Sequence, residues 1–199
     1  MIRPEPITAY VGVNGSGKSL SALAFALSDM SRNGRPLITN IAGITVDHVH
    51  IDGVEELAAI MDRLGTCNVV LDEAGAMFAS RDAGRNKAFE KVVQQLRKYD
   101  ARLLWTAPAF ARADKILREV TFKAILCRSL HTRHVKGKVW ESTRLIAQRG
   151  FDVSRLDSSG MTLNKNAKAK GWGLVRTGRW EDCFDSFAVA GVDEAVKAA

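Results

Sequence analysis

The segment from residue 12 to residue 19, Gly-Val-Asn-Gly-Ser-Gly-Lys-Ser, restricts the possible folds of this chain more than any other feature. An apolar run, 7–13, precedes it, and a segment of helical periodicity, 18–31, follows it. The glycines allow the backbone to curl so that successive N–H groups face one anion, because no Cβ blocks the approach. A strand, a glycine-rich turn and a helix in this order predict a phosphate-binding loop of the Walker A pattern.

Two side chains of this loop predict which ligands it takes. Lys18 would reach the β- and γ-phosphates of a nucleotide, and the hydroxyl of Ser19 would bind Mg²⁺. The helix that begins here directs the positive end of its dipole at the phosphates. We therefore predict ATP and Mg²⁺ as cofactors. The predicted nucleotide-binding residues are Gly12, Val13, Asn14, Gly15, Ser16, Gly17, Lys18, Ser19 and Leu20.

An apolar run at 69–71 ends in two acids, Asp72 and Glu73. In a parallel sheet, the end of this strand can face the phosphate-binding loop, as a Walker B segment does. We predict that Asp72 holds the magnesium together with Ser19, directly or through water. Glu73 is predicted to act as the general base or to position the attacking water. This second role indicates hydrolysis, because a pure binding module has no need of it.

Two further residues are predicted to take part in catalysis. Thr106 lies near the end of a strand predicted at 101–107, and it would sense the γ-phosphate if that strand is inserted between the two motifs. Positive charge at the transferring phosphoryl group often comes from an arginine of a neighbouring subunit. Arg97 is our first candidate for this trans-acting arginine. The other arginines in plausible regions are Arg81, Arg85, Arg102 and Arg118.

The order of predicted elements indicates an α/β fold. Up to residue 130, short β-branched runs alternate with segments of helical period, which is typical of a mostly parallel sheet with helices on both faces. The predicted strands are 7–13, 36–41, 67–72, 101–107 and 122–130, and the predicted helices are 18–31, 54–64, 86–99 and 112–120.

The pattern changes after residue 130. A β-hairpin is predicted with its turn at 136–138 and its second strand at 139–147, and an exposed, mobile loop is predicted at 157–178. We predict a single domain overall, in which residues 1–130 form the ATPase core and residues 131–199 form a basic hairpin and tail on that core.

Charge distinguishes the two halves of the chain, whose formal net charge is +7. Residues 111–179 contain 16 Lys and Arg against 5 Asp and Glu, which is the pattern of a surface that follows nucleic acid. Few aromatic residues accompany these charges, so we predict phosphate contacts to DNA without sequence readout rather than base stacking. The basic residues concerned are Arg128, Arg133, Lys136, Lys138, Arg144 and Arg149 on the hairpin, and Lys165, Lys168 and Lys170 near Trp172.

The cysteines and the apolar runs predict the compartment. Cys67, Cys127 and Cys183 are scattered and show no Cys-x-x-Cys spacing, which argues against a disulfide framework or a zinc site. No apolar run approaches the roughly 18 residues needed to cross a bilayer, and the first residues lack a signal-peptide pattern. We therefore expect a cytoplasmic protein whose membrane attachment would come from a partner.

Three segments together resemble the FtsK/HerA-type P-loop ATPases. The resemblance is closest to the zonular-occludens-toxin-like and filamentous-phage assembly branch, with the small genome-packaging ATPases of tailless viruses as relatives. The stretch Gly34–Ile41 is the most discriminating, because P-loop proteins in general lack its Gly-Arg-x-x-Ile-Thr-Asn pattern. The other segments are 9–19, and 69–73 with 95–99 and 103–108; residues 180–187 are also similar to an aromatic-Asp-Ser/Thr ending of that group.

The resemblance implies a RecA/ASCE-like core, the roles given above for Lys18, Ser19, Asp72 and Glu73, Arg97 as the trans-acting arginine, and a ring-forming homo-oligomer. Two departures stand out. The family usually has Gln after the threonine of the fourth strand, where this chain has Ala107-Pro108. Its membrane-anchored members continue into a transmembrane helix, for which this sequence shows no apolar run of sufficient length.

Three functions remain open at this point. The leading one is an oligomeric ATPase that moves DNA, most simply in packaging a viral genome. The second is an assembly or secretion ATPase that moves a protein or virion through a membrane complex, with a membrane or capsid protein as partner. The third is a small-molecule kinase, although adjacent acids at 72 and 73 fit hydrolysis better.

Overall fold

The structure, a computed structural model, describes residues 1–74, 83–133, 140–153 and 169–183, with only the backbone described at 83–87, 131–133, 140–143, 179 and 181. The strands are β1 (Ile7–Val11), β2 (Leu37–Thr39), β3 (Val49–His50), β4 (Asn68–Leu71), β5 (Arg102–Ala107), β6 (Lys123–Arg133), β7 (Trp140–Asp152) and β8 (Gly171–Arg176). The α-helices are α1 (Lys18–Asn33), α2 (Leu57–Leu64), α3 (Ala83–Lys98) and α4 (Lys115–Val120), and short 3₁₀ turns cover Phe110–Arg112, Thr177–Arg179 and Glu181–Cys183.

These strands form one sheet in the order β3-β2-β4-β5-β1-β6-β7-β8. The pairs from β3 to β6 are parallel, whereas β6–β7 and β7–β8 are antiparallel. The loops that follow β1, β2, β4 and β5 therefore meet at one edge, which we call the carboxyl edge. In open parallel sheets this is the edge at which ligands bind. The mixed α/β architecture confirms the predicted fold class.

Helices cover both faces of the sheet, as predicted. On one face, α1 packs its alanines and leucines, among them Leu23 and Leu27, against Tyr10 and Leu104. The apolar sides of α2, α3 and α4 cover the other face over β1, β4 and β5, where Trp105 is fully buried. Strands β1, β2, β4 and β5 are buried on both sides, which explains their largely apolar sequences.

A buried carboxylate joins α1 to the first residues of two strands, at the edge opposite the carboxyl edge. Asp29 is 7% exposed and accepts hydrogen bonds from Asn68 at 2.8 Å, Asn33 at 2.7 Å and Arg102 at 2.7 Å. Arg35, from the Gly-Arg-x-x-Ile-Thr-Asn stretch, adds an ion pair at 3.5 Å. Burial by itself raises the pKa of Asp29, but these hydrogen bonds and the two arginines outweigh it and lower the pKa below its ordinary value.

Two differences between the predicted and the observed elements have local explanations. The helix predicted at 112–120 begins at Lys115, because the carboxylate of Asp114 accepts the Ile116 N–H at 2.8 Å and caps the helix there. The two-residue strand β3 lies between the strand predicted at 36–41 and the helix predicted at 54–64, where no strand was predicted. It is too short to leave a periodic pattern in the sequence.

The loop predicted over 157–178 is wrong for residues 171–176, which form β8. Strand β8 pairs with β7 from Gly171 opposite Gly150 to Arg176 opposite Leu145. Its two glycines disfavour a strand by propensity, but the open edge of β7 supplies partners for its backbone. Strand β7 also extends five residues beyond the predicted end. The hairpin turn predicted at 136–138 lies outside the described residues.

No helix among the described residues is long and apolar enough to cross a membrane.

Candidate nucleotide-binding and catalytic site

The loop after β1 is shaped by two glycines that no other residue could replace without displacement. A Cβ on Gly12 would lie 2.7 Å from the carbonyl oxygen of Cys127 in β6. Gly17 adopts φ of 82°, in the left-handed region, and a Cβ there would collide with the side chain of Ile146 in β7. The neighbouring strands therefore enclose this loop closely and hold it in place.

The beginning of α1 leaves hydrogen-bond donors for a ligand. The helix has no side-chain cap and no acidic residue in its first turn, and its first bond runs from the Ser21 N–H to the Gly17 carbonyl at 2.9 Å. The N–H groups at the start of a helix lack intrahelical partners and favour an anion. The hydroxyl of Ser16 is buried and has no hydrogen-bond partner among the described residues. These features fit a phosphate group.

Asp72 follows β4 and lies beside α1 at the carboxyl edge. Its Oδ1 accepts a hydrogen bond from the hydroxyl of Ser19 at 2.6 Å and another from the hydroxyl of Thr106 at 2.6 Å. A hydroxyl and a carboxylate oxygen this close form the kind of hard oxygen pair that Mg²⁺ prefers. The predicted metal ligands Ser19 and Asp72 are thus adjacent, and their chemistry fits that ion.

Asn40 holds the backbone of Asp72, although no role was predicted for it. Its side-chain Oδ1 accepts the Asp72 N–H at 2.7 Å, and its Nδ2 donates to the Asp72 carbonyl at 3.0 Å. Asn40 thereby fixes the backbone of Asp72 from both sides. The signal was present in the sequence, because Asn40 ends the Gly-Arg-x-x-Ile-Thr-Asn stretch, but the stretch served only to indicate a resemblance.

Glu73 is held in an uncommon backbone conformation next to the loop. Its φ is 48°, in the left-handed region that non-glycine residues seldom adopt. Its N–H donates to the hydroxyl of Thr106 at 3.0 Å, and its Oε1 lies 3.3 Å from Nζ of Lys18. The side chain of Lys18 is 8% exposed and that of Glu73 is 49% exposed. The carboxylate therefore faces both the buried lysine and solvent.

Strand β5 is inserted between β1 and β4, with Ala107 opposite Val11 and Trp105 opposite Leu71. Thr106 consequently lies between the two motifs, and it is fully buried. Its single hydroxyl proton goes to Asp72 while its oxygen accepts the N–H of Glu73. In this arrangement Thr106 orients the two acids, and its role as a γ-phosphate sensor remains a prediction.

Two candidate arginines whose side chains the structure describes, Arg97 and Arg102, lie away from the site in this chain. Arg97 is exposed in the last turn of α3, which leads into the beginning of β5 and so lies at the edge opposite the site. Arg102 pairs with Asp29 at the same distant edge, and Arg118 lies in α4. Arg81 is outside the described residues, and the side chain of Arg85 is not described. The trans role of Arg97 remains a prediction.

Cys127 lies buried beside the loop, where it could be mistaken for a nucleophile. Burial raises the pKa of its thiol to about 11, so the thiol is neutral at physiological pH. A neutral, buried thiol is inert. Its contribution is structural, through the carbonyl oxygen that approaches Gly12.

The basic residues predicted to contact DNA are described in part. Arg128, Arg144, Arg149 and Lys170 are exposed. The side chain of Arg133 is not described, and Lys136, Lys138, Lys165 and Lys168 lie outside the described residues.

Comparison with known proteins identifies a family for this chain. The sequence model of the family described as zonular occludens toxin (Zot) matches residues 7–144. A comparison with curated proteins gave no match.

Among solved structures, the N-terminal domain of zonular occludens toxin from Neisseria meningitidis is similar with a TM-score of 0.54 at 18% identity, covering 92% of this chain and 100% of that one. The genome packaging NTPase B204 from Sulfolobus turreted icosahedral virus 2, in complex with ATP-gammaS, gives a TM-score of 0.52 at 15% identity, covering 77% of this chain and 95% of that one. These likenesses show a shared fold, and with the family match they confirm the resemblance predicted from the sequence.

Proposed function

Because the chain belongs to the zonular occludens toxin (Zot) family, we propose that it is an ATP-hydrolysing motor that works as a homo-oligomer and moves DNA during the packaging or assembly of a virus particle. The observation that carries this proposal is the meeting of Lys18, Ser19, Asp72 and Glu73 at one edge of the sheet. These four side chains supply phosphate binding, metal binding and a base, which together are the requirements of a nucleotide hydrolase.

Binding uses the loop after β1 and the first turn of α1. The phosphates would take the free N–H groups of this turn, and the ammonium of Lys18 would reach the terminal phosphates. Ser19 and Asp72 would hold Mg²⁺, which supplies charge neutralisation at the phosphates when bound. Asn40 and Thr106 keep the Asp72 carboxylate in the orientation that this requires.

Hydrolysis uses the carboxylate of Glu73. In the free protein this carboxylate is paired with Lys18 at 3.3 Å. A γ-phosphate that attracts Lys18 would release the carboxylate, which could then accept a proton from a water molecule in line with the phosphorus. The Thr106 hydroxyl holds the Glu73 backbone at 3.0 Å, so the base stays at a defined distance from the metal ligand. A positioned base typically contributes about 10²–10⁴-fold to such a rate.

Movement of DNA rests on the charge of the second half of the chain. The excess of Lys and Arg over 111–179 suits a polyanion, and Arg97 on the exposed surface of α3 is available to complete the site of a neighbouring copy. B204 is described as a genome packaging NTPase, and its shared fold supports packaging.

The family match favours a second candidate within the same enzyme class. An ATPase of the zonular-occludens-toxin type would drive assembly or secretion of a phage particle together with a membrane complex. The match over residues 7–144 supports it. A small-molecule kinase is less well supported, because the proposed roles of Asp72 as a metal ligand and Glu73 as a base for water fit hydrolysis better than transfer to an acceptor.

The decisive test is the rate of ATP hydrolysis by the purified protein with and without DNA at low salt. We expect that DNA stimulates ATP hydrolysis and that Lys18→Ala abolishes hydrolysis. Lys91→Ala, which removes the same charge from the exposed surface of α3, is the control and should hydrolyse ATP normally. Hydrolysis that is indifferent to DNA, with retention on an immobilised membrane complex, would favour the second candidate. Absence of hydrolysis in either condition would refute both.

A further inference from the structure

Strands β6, β7 and β8 present arginines and an exposed tryptophan on one face of the sheet. This is the same face that α2, α3 and α4 cover over the parallel strands. The strand register defines it. Arg128 in β6 is opposite Ala147 in β7, which is opposite Leu174 in β8, and Arg149 in β7 is opposite Trp172 in β8. Alternation along β8 adds Arg176. We call Arg128, Arg149, Trp172, Leu174 and Arg176 the arginine-tryptophan face.

The apolar members of this face are unusually open to solvent. Trp172 is 70% exposed and Leu174 is 55% exposed, and Arg128, Arg149 and Arg176 are all exposed. Two large apolar side chains next to each other on a sheet are normally covered, so an exposed pair indicates a contact surface.

One arginine is already held in a fixed orientation on the face. The guanidinium carbon of Arg149 lies 4.6 Å from the ring centre of Trp172 and 5.5 Å from that of Phe151. A guanidinium between two aromatic rings loses less freedom when it binds an anion, because its rotamer is restricted beforehand. The ring of Trp172 keeps most of its surface open despite this contact.

Charge on the face has one sign. None of the described side chains that share it is acidic. Alternation along β7 places Asp152 on the other face, and Lys170 pairs with its carboxylate. By strand spacing, Arg128 and Arg149 lie about 8 Å apart at their Cα atoms, and Arg176 lies about 14 Å from Arg149. The three arginines thus mark the corners of a triangle across three strands, and Trp172 lies beside Arg149.

We infer that the arginine-tryptophan face binds single-stranded nucleic acid, with an unpaired base stacked on Trp172 and phosphates on Arg149, Arg128 and Arg176. An aromatic ring beside a group of cations is the combination that retains single strands without sequence preference. The inference rests on the proposed movement of DNA and deepens it by naming the strandedness of the bound segment and the residues that contact it.

A duplex or an acidic protein fits the face less well. In a duplex the bases are stacked on one another, so the open ring of Trp172 would find no partner. An acidic peptide would satisfy the arginines, but it offers no flat ring to cover the exposed indole. The stacked geometry of Arg149 and Trp172 therefore favours unpaired bases over both.

Strand β7 connects this face to the nucleotide site. Ile146 points from β7 to the opposite side, where it packs against Gly17 of the phosphate-binding loop. Three residues later, Arg149 points to the arginine-tryptophan face. A single strand thus contacts both the loop and the bound polymer, which provides a short mechanical path between them.

The test is fluorescence anisotropy of labelled oligothymidylate, of about 16 nucleotides to match the upper site size of compact single-strand-binding folds, measured without ATP. We expect Trp172→Ala to weaken binding by about 10-fold or more and Trp172→Phe to keep most of the affinity. Arg149→Ala should weaken binding and reduce the slope of log affinity against log salt by about one. Arg63→Ala, which removes an exposed charge in α2, should leave binding unchanged.

Several outcomes would overturn the inference. The inference is wrong if wild type and Trp172→Ala bind the oligonucleotide equally, or if a duplex of the same length binds more tightly. It is also wrong if low concentrations of polyglutamate displace the oligonucleotide. Melting temperatures of all variants check that the fold is intact. Because binding is measured without ATP, a protein that binds the oligonucleotide but fails to hydrolyse ATP would contradict the proposed function alone.

Discussion

Nζ of Lys18 lies 3.3 Å from Oε1 of Glu73, so the residue assigned to the terminal phosphate and the residue assigned to water neutralise each other in the free protein. The pair couples the two steps of the reaction, because the lysine can bind phosphate fully only when it leaves the carboxylate. Arrival of ATP would thereby expose the base at the moment when it is needed.

Glu73→Gln should keep ATP binding and lose hydrolysis by about 10²-fold or more, because the amide cannot accept a proton from water. Lys18 loses its ionic partner in this variant, so ATP should bind as tightly as to the wild type or more tightly. Turnover and binding of a fluorescent ATP analogue measure the two effects. Glu119→Gln, an exposed acid in α4, is the matched control, and normal turnover of Glu73→Gln would exclude Glu73 as the base.

Asn40→Ala should raise the Mg²⁺ concentration needed for half-maximal ATP hydrolysis by about 10–100-fold, the usual effect of removing a residue that orients a metal ligand. The variant leaves the N–H and carbonyl of Asp72 without their side-chain partner, and a loss of about 1–3 kcal/mol in the free energy of unfolding should accompany it. Magnesium titrations of the initial rate and urea unfolding measure these quantities. An unchanged magnesium requirement together with reduced stability would show that Asn40 is only structural.

Thr106→Val should also weaken the use of magnesium, because it removes the donor to Asp72 and the acceptor of the Glu73 N–H without changing side-chain volume greatly. Thr106→Ser restores both hydrogen bonds and should recover most of the rate. Measured affinities for ATP and ADP distinguish a residue that positions Asp72 and Glu73 from one that senses the γ-phosphate. If Thr106 contacts the γ-phosphate instead, Thr106→Val would weaken ATP binding while leaving ADP binding and the magnesium requirement unchanged.

Short-range patterns were sufficient to predict the loop and the acid pair, since each is written in one short segment. The parallel direction of β1, β4 and β5 follows from the alternation of strands and helices, whereas the insertion of β5 between the other two was only a condition of the prediction for Thr106. Contacts between distant segments were not predictable in this way. The packing of Ile146 on Gly17 depends on how the hairpin folds back over the loop, and no local pattern specifies it.

Strand β8 shows a related limit. Glycine and polar residues near Gly171 favoured a loop, yet the free edge of β7 recruits the segment into the sheet. Propensity describes an isolated segment, whereas pairing depends on the partner that the fold supplies. The exposed position of Trp172 became visible only with that pairing.

Asp29→Asn should destabilise the fold in a pH-dependent way. The carboxylate is 7% exposed and pairs with Arg102 at 2.7 Å, and more distantly with Arg35, which also pairs with Asp100. At neutral pH, the loss of the Arg102 ion pair should cost about 3 kcal/mol. The pKa of Asp29 is lowered in the folded state, which means that the unfolded chain binds the proton first as pH falls. The carboxylate therefore stabilises the fold fully above about pH 5 and progressively less below about pH 4. The difference in free energy of unfolding between wild type and Asp29→Asn should shrink below about pH 4.

Urea unfolding from pH 7 to pH 3 measures this difference. Asp52→Asn, whose side chain is 98% exposed, is the control and should change stability by less than about 0.5 kcal/mol. A difference that stays constant over this range would mean that the charge of Asp29 does not stabilise the fold.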